Sequence, residues 1–423
     1  MSEKRDDFLN HLIGSPFASL GVGRIGVAVS GGGDSMALLC LVTDWAKENG
    51  AVISAVTVDH GLRPEAAAEA AGVAAFCAAR RTPHEVLRWD GWDGKGNVQS
   101  AARAARYRLI AGWAKANDVE AVCLGHTRDD QAETFLMRLA RKAGSDGLRG
   151  MADTFEREGV QWLRPLLQAD REDLRGYLRR QDVAWVEDPS NEDRRFDRVK
   201  ARQAMAALGP LGIDAGVLSA VAQNLSGENA LIRETVRNAL AGQVEAHMGA
   251  LCCGETVFAA LHPEIRRRFL MAAVQWIGGG DYKPRLSAVS ELETALQQGD
   301  AHTVGGVIGW VSKGRVWLAR EYERVREARG TPFDGRWQID GVTLRQEEGR
   351  ENGQEIRALG PNGLQQLGNW RDLGLPRRAL LPLPAVWEGE NLVCAPLLDA
   401  PIAGLGVKAT DLRPSFDKWL MQH

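Results

Sequence analysis

The sequence predicts an α/β fold, a doubly wound and mostly parallel sheet, followed by a helical domain and a small α+β C-terminal domain. Three observations predict it. From residue 24 to about residue 165, short apolar runs alternate with helix-like stretches. A glycine-rich loop joins the first apolar run to the first of those helices, and the alternation stops beyond about residue 205.

Ile25 to Val29 is a short apolar run suited to a buried parallel strand. Met36 to Trp45 is apolar nearly all round and reads as a buried helix. Val52 to Val58 is the second strand, and the alanine-rich Pro64 to Arg80 the next helix. Val86 to Trp89 is the third strand. Asn97 caps a helix running to about Asn117, Ala121 to Leu124 is the fourth strand, and a helix follows from about Arg128 to Lys142. In such sheets ligands sit at the carboxyl ends of the strands, where the strand order reverses. Residues 210 to 300 keep helical periodicity with few β-branched runs. From about 330 the chain turns Gly-, Pro- and Trp-rich, with strand-like pieces at Trp337 to Leu344 and Asn391 to Ala395. The expected domains are 1–205, 206–325 and 326–423.

A chain of 423 residues exceeds one ordinary core. Its 44% hydrophobic and 25% charged content is that of a globular protein, and no apolar run approaches the roughly 20 residues of a membrane span. Met1 to Asn10 is polar and holds no secretory apolar stretch. Six scattered cysteines without a C-x-x-C pair argue against a disulfide framework, a structural zinc or a redox dithiol. The cytoplasm is the simplest location. A net charge of −3 gives no global sign of nucleic-acid binding, so charge is read locally. Arg194 to Arg202 holds five basic residues against one acid, which composition alone reads as a solvated helix face.

The chemistry starts at Ser30-Gly31-Gly32-Gly33-Asp34-Ser35, between a strand and a helix. Three glycines let backbone N–H groups converge, and the following helix adds its positive end, which makes an anion site. Ser30 and Ser35 can donate hydroxyls to phosphate, and Asp34 can hold magnesium. The lysine of G-x-x-x-x-G-K-[ST] is missing, so this is not a loop for a transferred γ-phosphate. Gly21-Val-Gly23-Arg-Ile-Gly26 matches G-x-G-x-x-G but precedes the first strand, so the dinucleotide reading fails on context.

The second cluster is His126-Thr127-Arg128-Asp129-Asp130-Gln131-Ala132-Glu133-Thr134. A capping box from Thr127 to Asp130 explains part of it. Yet Asp129, Asp130 and Glu133 crowd one side of a helix, which is destabilising unless a cation, magnesium or a substrate ammonium, sits among them. Third, Arg103 and Arg106 share a face of an alanine-rich helix and can reach phosphates or form surface ion pairs. His60 emerges after the second strand on the carboxyl-end side, and only that position argues for catalysis.

These segments resemble a known family. SGGGDS, VDHGLR (58–63), GNVQSAARAARY (96–107), GHTRDDQAET (125–134) and EDPSN (187–191) occur in the order seen in tRNA(Ile)-lysidine synthetases, members of the PP-loop, or N-type, ATP pyrophosphatase superfamily. The likeness is strong over roughly residues 24 to 205. Beyond that, Tyr282-Lys-Pro-Arg285, Thr303-Val-Gly-Gly306 and Leu375-Pro376-Arg377-Arg378 resemble pieces of the family's later domains. The resemblance implies a PP-loop catalytic domain with an adenine nucleotide alpha-hydrolase-like fold, and a C-terminal domain that binds tRNA.

It implies that ATP adenylates the C2 oxygen of the wobble cytidine in the CAU anticodon of an isoleucine tRNA. The ε-amine of free L-lysine then displaces AMP to leave lysidine. ATP would lie on Ser30, Gly31, Gly32, Gly33, Asp34 and Ser35, with Asp34, Asp129, Asp130, Glu133 and His60 as catalytic residues. Magnesium would sit on Asp34 and Asp130, and Arg103, Arg106, Arg198 and Arg202 would contact ATP or tRNA phosphates. The resemblance leaves room for a homodimer. Two departures stand out: Val199 replaces a family asparagine between Arg198 and Arg202, and Gly363 to Leu367 is neutral where relatives carry lysines. The alternatives are another PP-loop tRNA-modifying enzyme such as a thiolase, which would need a cysteine pair, a glutamine-dependent synthetase, and a nucleotide sensor without catalysis.

Overall fold

The computed structural model describes residues 2–21, 23–61, 65–89, 92, 98–187, 197–279, 284–330, 337–339, 342–346, 354–368, 370–398, 407–411 and 415–422. They form two compact units, Met1–Asn229 and Ala230–His423.

The first unit runs α1 (Ser2–Leu20), β1 (Arg24–Ala28), α2 (Gly33–Asn49), β2 (Val52–Asp59), α3 (Ala66–Ala79), β3 (His84–Arg88), α4 (Val98–Ala116), β4 (Ala121–Leu124), α5 (Arg128–Ala140) and α6 (Ser145–Leu148). It continues with β5 (Thr154–Arg157), β6 (Val160–Leu163), α7 (Arg171–Arg180), α8 (Asp197–Leu208) and α9 (Ala215–Leu240), the last crossing into the second unit. The sheet order is β3-β2-β1-β4-β6-β5. Every pairing from β3 to β6 is parallel, and only β5 runs antiparallel. The chain steps outward from β1 to β3 and then returns to β4 on the other flank of β1. The β1/β4 boundary is therefore the switch point at which such sheets hold ligands.

The four strands and four helices expected from the alternation are all present, with ends shifted by a few residues. The short hairpin β5–β6 extends the sheet beyond them. Helix α2 is buried nearly all round, with Met36, Leu38, Leu39, Leu41 and Val42 in one core with β1, β2 and β4. That is why its sequence lacks a polar face. Helix α1 covers α2 through Leu9, Ile13 and Phe17, spaced four apart on one face, and the Phe17 ring lies 4.6 Å from Trp45.

The second unit adds strands to the helices expected there. β7 (Val244–His247), β8 (Ala250–Gly254), β9 (His302–Val304), β10 (Val307–Ser312) and β11 (Arg315–Arg320) form an antiparallel sheet in the order β7-β8-β11-β10-β9. Helices Pro263–Gly278 and Leu286–Gln298 bury Phe269, Leu270, Leu292 and Leu296 with Leu251, Val307 and Leu318 of the sheet. Farther on, Arg329–Gly330, Gln354–Ala358, Pro384–Glu388 and Asn391–Cys394 make a four-stranded sheet over a cluster of Leu359, Leu364, Leu380 and Trp387. Trp337–Ile339, Val342–Gln346 and Val407–Asp411 make a three-stranded one.

Since Phe17 is 1% exposed and anchors α1, Phe17→Ala is expected to cost about 3–5 kcal/mol in urea unfolding. A loss below about 1 kcal/mol would show that α1 is dispensable to this core.

Candidate active site

Because β1, β4 and β6 are parallel neighbours, the loops after them leave the sheet at the same edge. The loop after β1 is the glycine loop. Gly31 holds φ at +83°, a left-handed conformation that a side chain would strain. Its carbonyl accepts a hydrogen bond from the Val186 N–H at 2.9 Å, and Gly32 bridges to Val186, so an extended segment braces the loop from outside. Gly32 is the N-cap of α2 and provides no side-chain cap. The first N–H groups of a buried helix thus meet no capping acceptor, which is the condition for anion binding. The two hydroxyls brace the turn: Ser35 Oγ donates to the Gly32 carbonyl at 2.9 Å, accepts from Ser30 N at 3.1 Å, and lies 3.2 Å from Ser30 Oγ. A Cβ on Gly125, after β4, would come within 3.1 Å of the Asp34 and Ser35 backbone, so glycine there lets the two loops touch.

The loop after β4 starts α5 with the capping box read from its sequence. Thr127 Oγ1 accepts from Asp130 N, and Asp130 Oδ2 accepts from Thr127 N at 2.9 Å. Capping and chemistry therefore share one carboxylate, because Asp130 Oδ1 faces the other way, toward Arg171.

Arg171, the first residue of α7 after β6, is the residue that sequence reasoning missed. Its Nε lies 3.1 Å from Asp34 Oδ2, Nη2 3.3 Å from Asp130 Oδ1 and Nη1 3.4 Å from Glu133 Oε1. Its backbone N–H donates to Asp129 Oδ2 at 2.8 Å. The cation required among those acids is, in this structure, an arginine of the chain itself. Helix α8 closes the cage: Arg202 Nε donates to Glu133 Oε1 at 2.6 Å, and Arg198 Nε stands 4.0 Å from Oε2. Glu133 is fully buried, and its Oε2 accepts no hydrogen bond among the described residues. Val199, the departure from the family's asparagine, is buried in this helix.

The cage splits its acids. Burial pushes the Asp34 carboxyl up, against the pull of Arg171 and with the help of Asp130 and Asp129. Burial also works to raise Asp130, but Arg171, His126, Arg198 and the Thr127 N–H together hold it below the usual carboxylate range. Arg171 is held firmly protonated, since its four acids outweigh burial.

A basic cluster adjoins the cage. Arg103 Nη2 reaches the Tyr107 hydroxyl at 3.3 Å, and Arg106, buried and beside Arg103, has its affinity for a proton lowered by both. Arg164 donates Nε–H to His126 Nδ1 at 3.2 Å and Nη1–H to the Ala152 carbonyl at 2.7 Å, with its guanidinium 4.0 Å above the Phe155 ring. Burial pushes His126 down to about 3, against Asp130 and assisted by Arg164, Arg106 and Arg103, so it is neutral at physiological pH. His60 lies apart from the acids. It meets Trp89 edge-on at 5.8 Å, and burial followed by Arg106 lowers its basicity.

The expected acids and arginines are thus gathered at one edge, Arg103 and Arg106 in the basic half and Arg198 and Arg202 on Glu133. Leu62 and Arg63 of the HGLR segment, Gly96 and Asn97, 188–191 of EDPSN, Arg194, Arg195, Tyr282 and Lys283 lie outside the described residues. All six cysteines are free and buried. Burial pushes Cys40 and Cys77 up to about 11, so neither fits a catalytic thiol. On the β7–β8 hairpin, Glu245, His247 and Cys252 approach one another as a metal site would, but Glu245 is already paired with Arg315 and His247. Among the described residues no single helix is long and apolar enough to cross a membrane.

The sign of the Asp34 shift gives a test. Because its folded pKa is raised, ionisation costs stability, and that cost grows as pH rises from the ordinary carboxylate value through the folded one. Asp34→Asn should therefore melt higher than wild type at neutral pH. The gain should vanish in acid, where Asp34 is protonated in both states. A pH-independent difference would contradict the burial argument.

Residues 4–208 match the family model for the PP-loop domain. A tRNA(Ile)-lysidine synthase of Ruegeria pomeroyi is 44% identical over 394 residues, 92% of either chain. One from Rhodopseudomonas palustris is 41% identical over 65% of this chain and 80% of its own, and one from Wolbachia pipientis wMel 34% identical over 72% of each. A solved U34-tRNA thiolase from Methanococcus maripaludis aligns at 14% identity and a TM-score of 0.46, over 53% of this chain and 79% of that one. With the uncapped loop, the switch-point acids and this likeness along nearly the whole chain, the protein belongs to the tRNA(Ile)-lysidine synthase family.

Proposed function

We infer that the chain is an ATP-dependent C–N ligase that adenylates the wobble cytidine of the CAU anticodon of tRNA(Ile) and joins it to free L-lysine, with AMP and pyrophosphate as products. The observation that carries this reading is the meeting of an uncapped glycine loop and a carboxylate cage at the β1/β4 switch point. In the first step the C2 oxygen attacks the α-phosphorus and the bond to pyrophosphate breaks. The N–H groups of Gly33, Asp34 and Ser35 at the start of α2 face the negative charge that builds on the leaving group. Arg103 and Arg106 offer guanidinium donors to the phosphates of ATP or tRNA.

In the second step the lysine ε-amine attacks C2 and AMP leaves. Free lysine arrives as an ammonium, and Asp130 and Glu133, with Asp129 beside them, are the acceptors for it. The amine must lose a proton before it attacks. The carboxylates of the cage are the acceptors at hand for it. His60, near Arg106, lies on the phosphate side of the site.

Magnesium fits the oxygen donors here, and Asp34 and Asp130 would hold it, where it would neutralise charge on the ATP phosphates. Asp34 has one carboxylate oxygen clear of Arg171, whereas both oxygens of Asp130 are engaged, by Thr127 and by Arg171. The six free thiols support a cytoplasmic location. Helix and sheet elements of 206–325 and 326–423 would grip the tRNA body, with Arg371, Arg377 and Arg378 near the neutral Gly363–Leu367 stretch as basic contacts.

The reading is tested by pyrophosphate release from ATP in the presence of purified tRNA(Ile) and each amino acid in turn. Release beyond the first turnover should depend on lysine, and Asp34→Ala should remove lysine-dependent AMP formation. Turnover that ignored lysine, or a fully active Asp34→Ala enzyme, would sink it.

A further inference from the structure

Arg171 holds the cage together, yet it holds it loosely. Its three side-chain contacts, at 3.1, 3.3 and 3.4 Å, are spread over carboxylates from two helices. A guanidinium committed to a carboxylate sits closer, at about 2.7–2.9 Å. Arg202 on Glu133 at 2.6 Å and Arg128 on Asp170 at 2.9 Å show such commitment in the same region. Two further observations bear on what the cage lacks. Glu133 Oε2 is buried and accepts no hydrogen bond, although a buried carboxylate oxygen is costly without a donor. Among the described residues, four carboxylates, Asp34, Asp129, Asp130 and Glu133, face three guanidiniums, Arg171, Arg198 and Arg202, so one negative charge is left over while Arg171 stays in place.

We propose that Arg171 is a resident counter-cation, which keeps the cage ordered between turnovers and yields its carboxylates when a substrate cation enters. The proposal rests on the reading that this cage receives a cation. Arg171 is built for exchange. Its backbone N–H stays tied to Asp129, so the side chain can swing out without α7 leaving the site. Its side chain is 19% exposed, which gives it a way out. Once Arg171 swings out, the four carboxylates face Arg198 and Arg202 alone, and an entering ammonium takes over the charge of Arg171 and would also supply the donor that Glu133 Oε2 lacks. A divalent ion would balance both negative charges that the departure of Arg171 leaves on the cage. Competition with Arg171 then sets how tightly the cage binds its cation, and excludes cations too weakly attracted to displace a guanidinium.

The test uses the full-length enzyme with Arg171→Gln and Arg171→Lys. Two arms follow cation entry: the KM for lysine in pyrophosphate release, and binding of manganese alone by electron paramagnetic resonance. If Arg171 competes, Arg171→Gln lowers the lysine KM by at least about fivefold, the low end of ordinary coupling between sites. Arg171→Lys, which keeps the charge but cannot span three carboxylates, should fall between it and wild type. The Arg171→Gln enzyme should also melt below wild type alone and recover when lysine is added. Tighter manganese binding with an unchanged lysine KM supports the exchange and assigns the entering cation to the metal. Should folded Arg171→Gln show a raised or unchanged KM and no gain for manganese, Arg171 is a fixed scaffold and the proposal falls. A wild-type enzyme indifferent to lysine would instead sink the functional reading, and the manganese arm would still decide the exchange.

Discussion

Carboxylates gathered at the mouth of a sheet repel one another, and burial makes each charge harder to keep. Asp34, Asp130 and Glu133 come from two helices that have no hydrogen bond to each other at this point. A single guanidinium, that of Arg171, spans all three. Without it, protonation of one acid would relieve the repulsion, and Asp34 is already displaced that way. The site therefore depends on a cation that the fold delivers from a third segment. Breaking a partly buried network of this kind costs more than a surface ion pair, because the remaining charges cannot be resolvated in place.

The delivery is a matter of topology. β6 pairs with β4 in parallel, so the segment after it emerges beside the start of α5, and α7 begins there with Arg171. β1, on the other flank of β4, brings Asp34 on the first turn of α2. Three residues separated by up to 137 positions meet because three neighbouring strands end at one edge. The glycines serve the same convergence. Gly125 lets the β4 loop lie against the β1 loop, and Gly31 turns the latter so that Val186 can pin it.

What could be read in the sequence was what local chemistry dictates. The glycine loop, the capping box at Thr127 and the crowd of acids follow rules that span a few residues, and the structure shows the loop at a helix start, the box formed and the acids gathered, with the Ser35 hydroxyl spent on the Gly32 carbonyl. The need for a cation among the acids was legible too, but its identity was not. Arg171 sits after β6, a four-residue strand, Val-Gln-Trp-Leu, whose pairing with β4 is not marked by any local signal. The strands of the second unit escaped for a related reason. Val-Glu-Ala-His and Ala-Leu-Cys-Cys-Gly carry one β-branched residue between them, and their extended form is imposed by the sheet they join. Composition alone reads the stretch around Arg198 and Arg202 as a solvated helix face, and the resemblance makes them phosphate contacts. Only the packing of α8 against α5 shows that Glu133 already engages them.

The site has two electrostatic halves, and His126 stands between them. On one side Arg103, Arg106 and Arg164 concentrate positive charge around Tyr107, whose hydroxyl they make more acidic in spite of burial. On the other side the acids outnumber their arginines. A protonated His126 would add charge to a half that is already crowded with cations, and burial and those arginines keep it neutral. Arg164 donates to its Nδ1, which leaves the proton on Nε2 and makes the ring a donor in one direction only. On the proposed function, an anionic nucleotide would be drawn to the basic half and the helix start, and a cationic amino acid to the other. The two co-substrates of a reaction that joins an amine to an adenylated base would thereby be sorted before either one reacts.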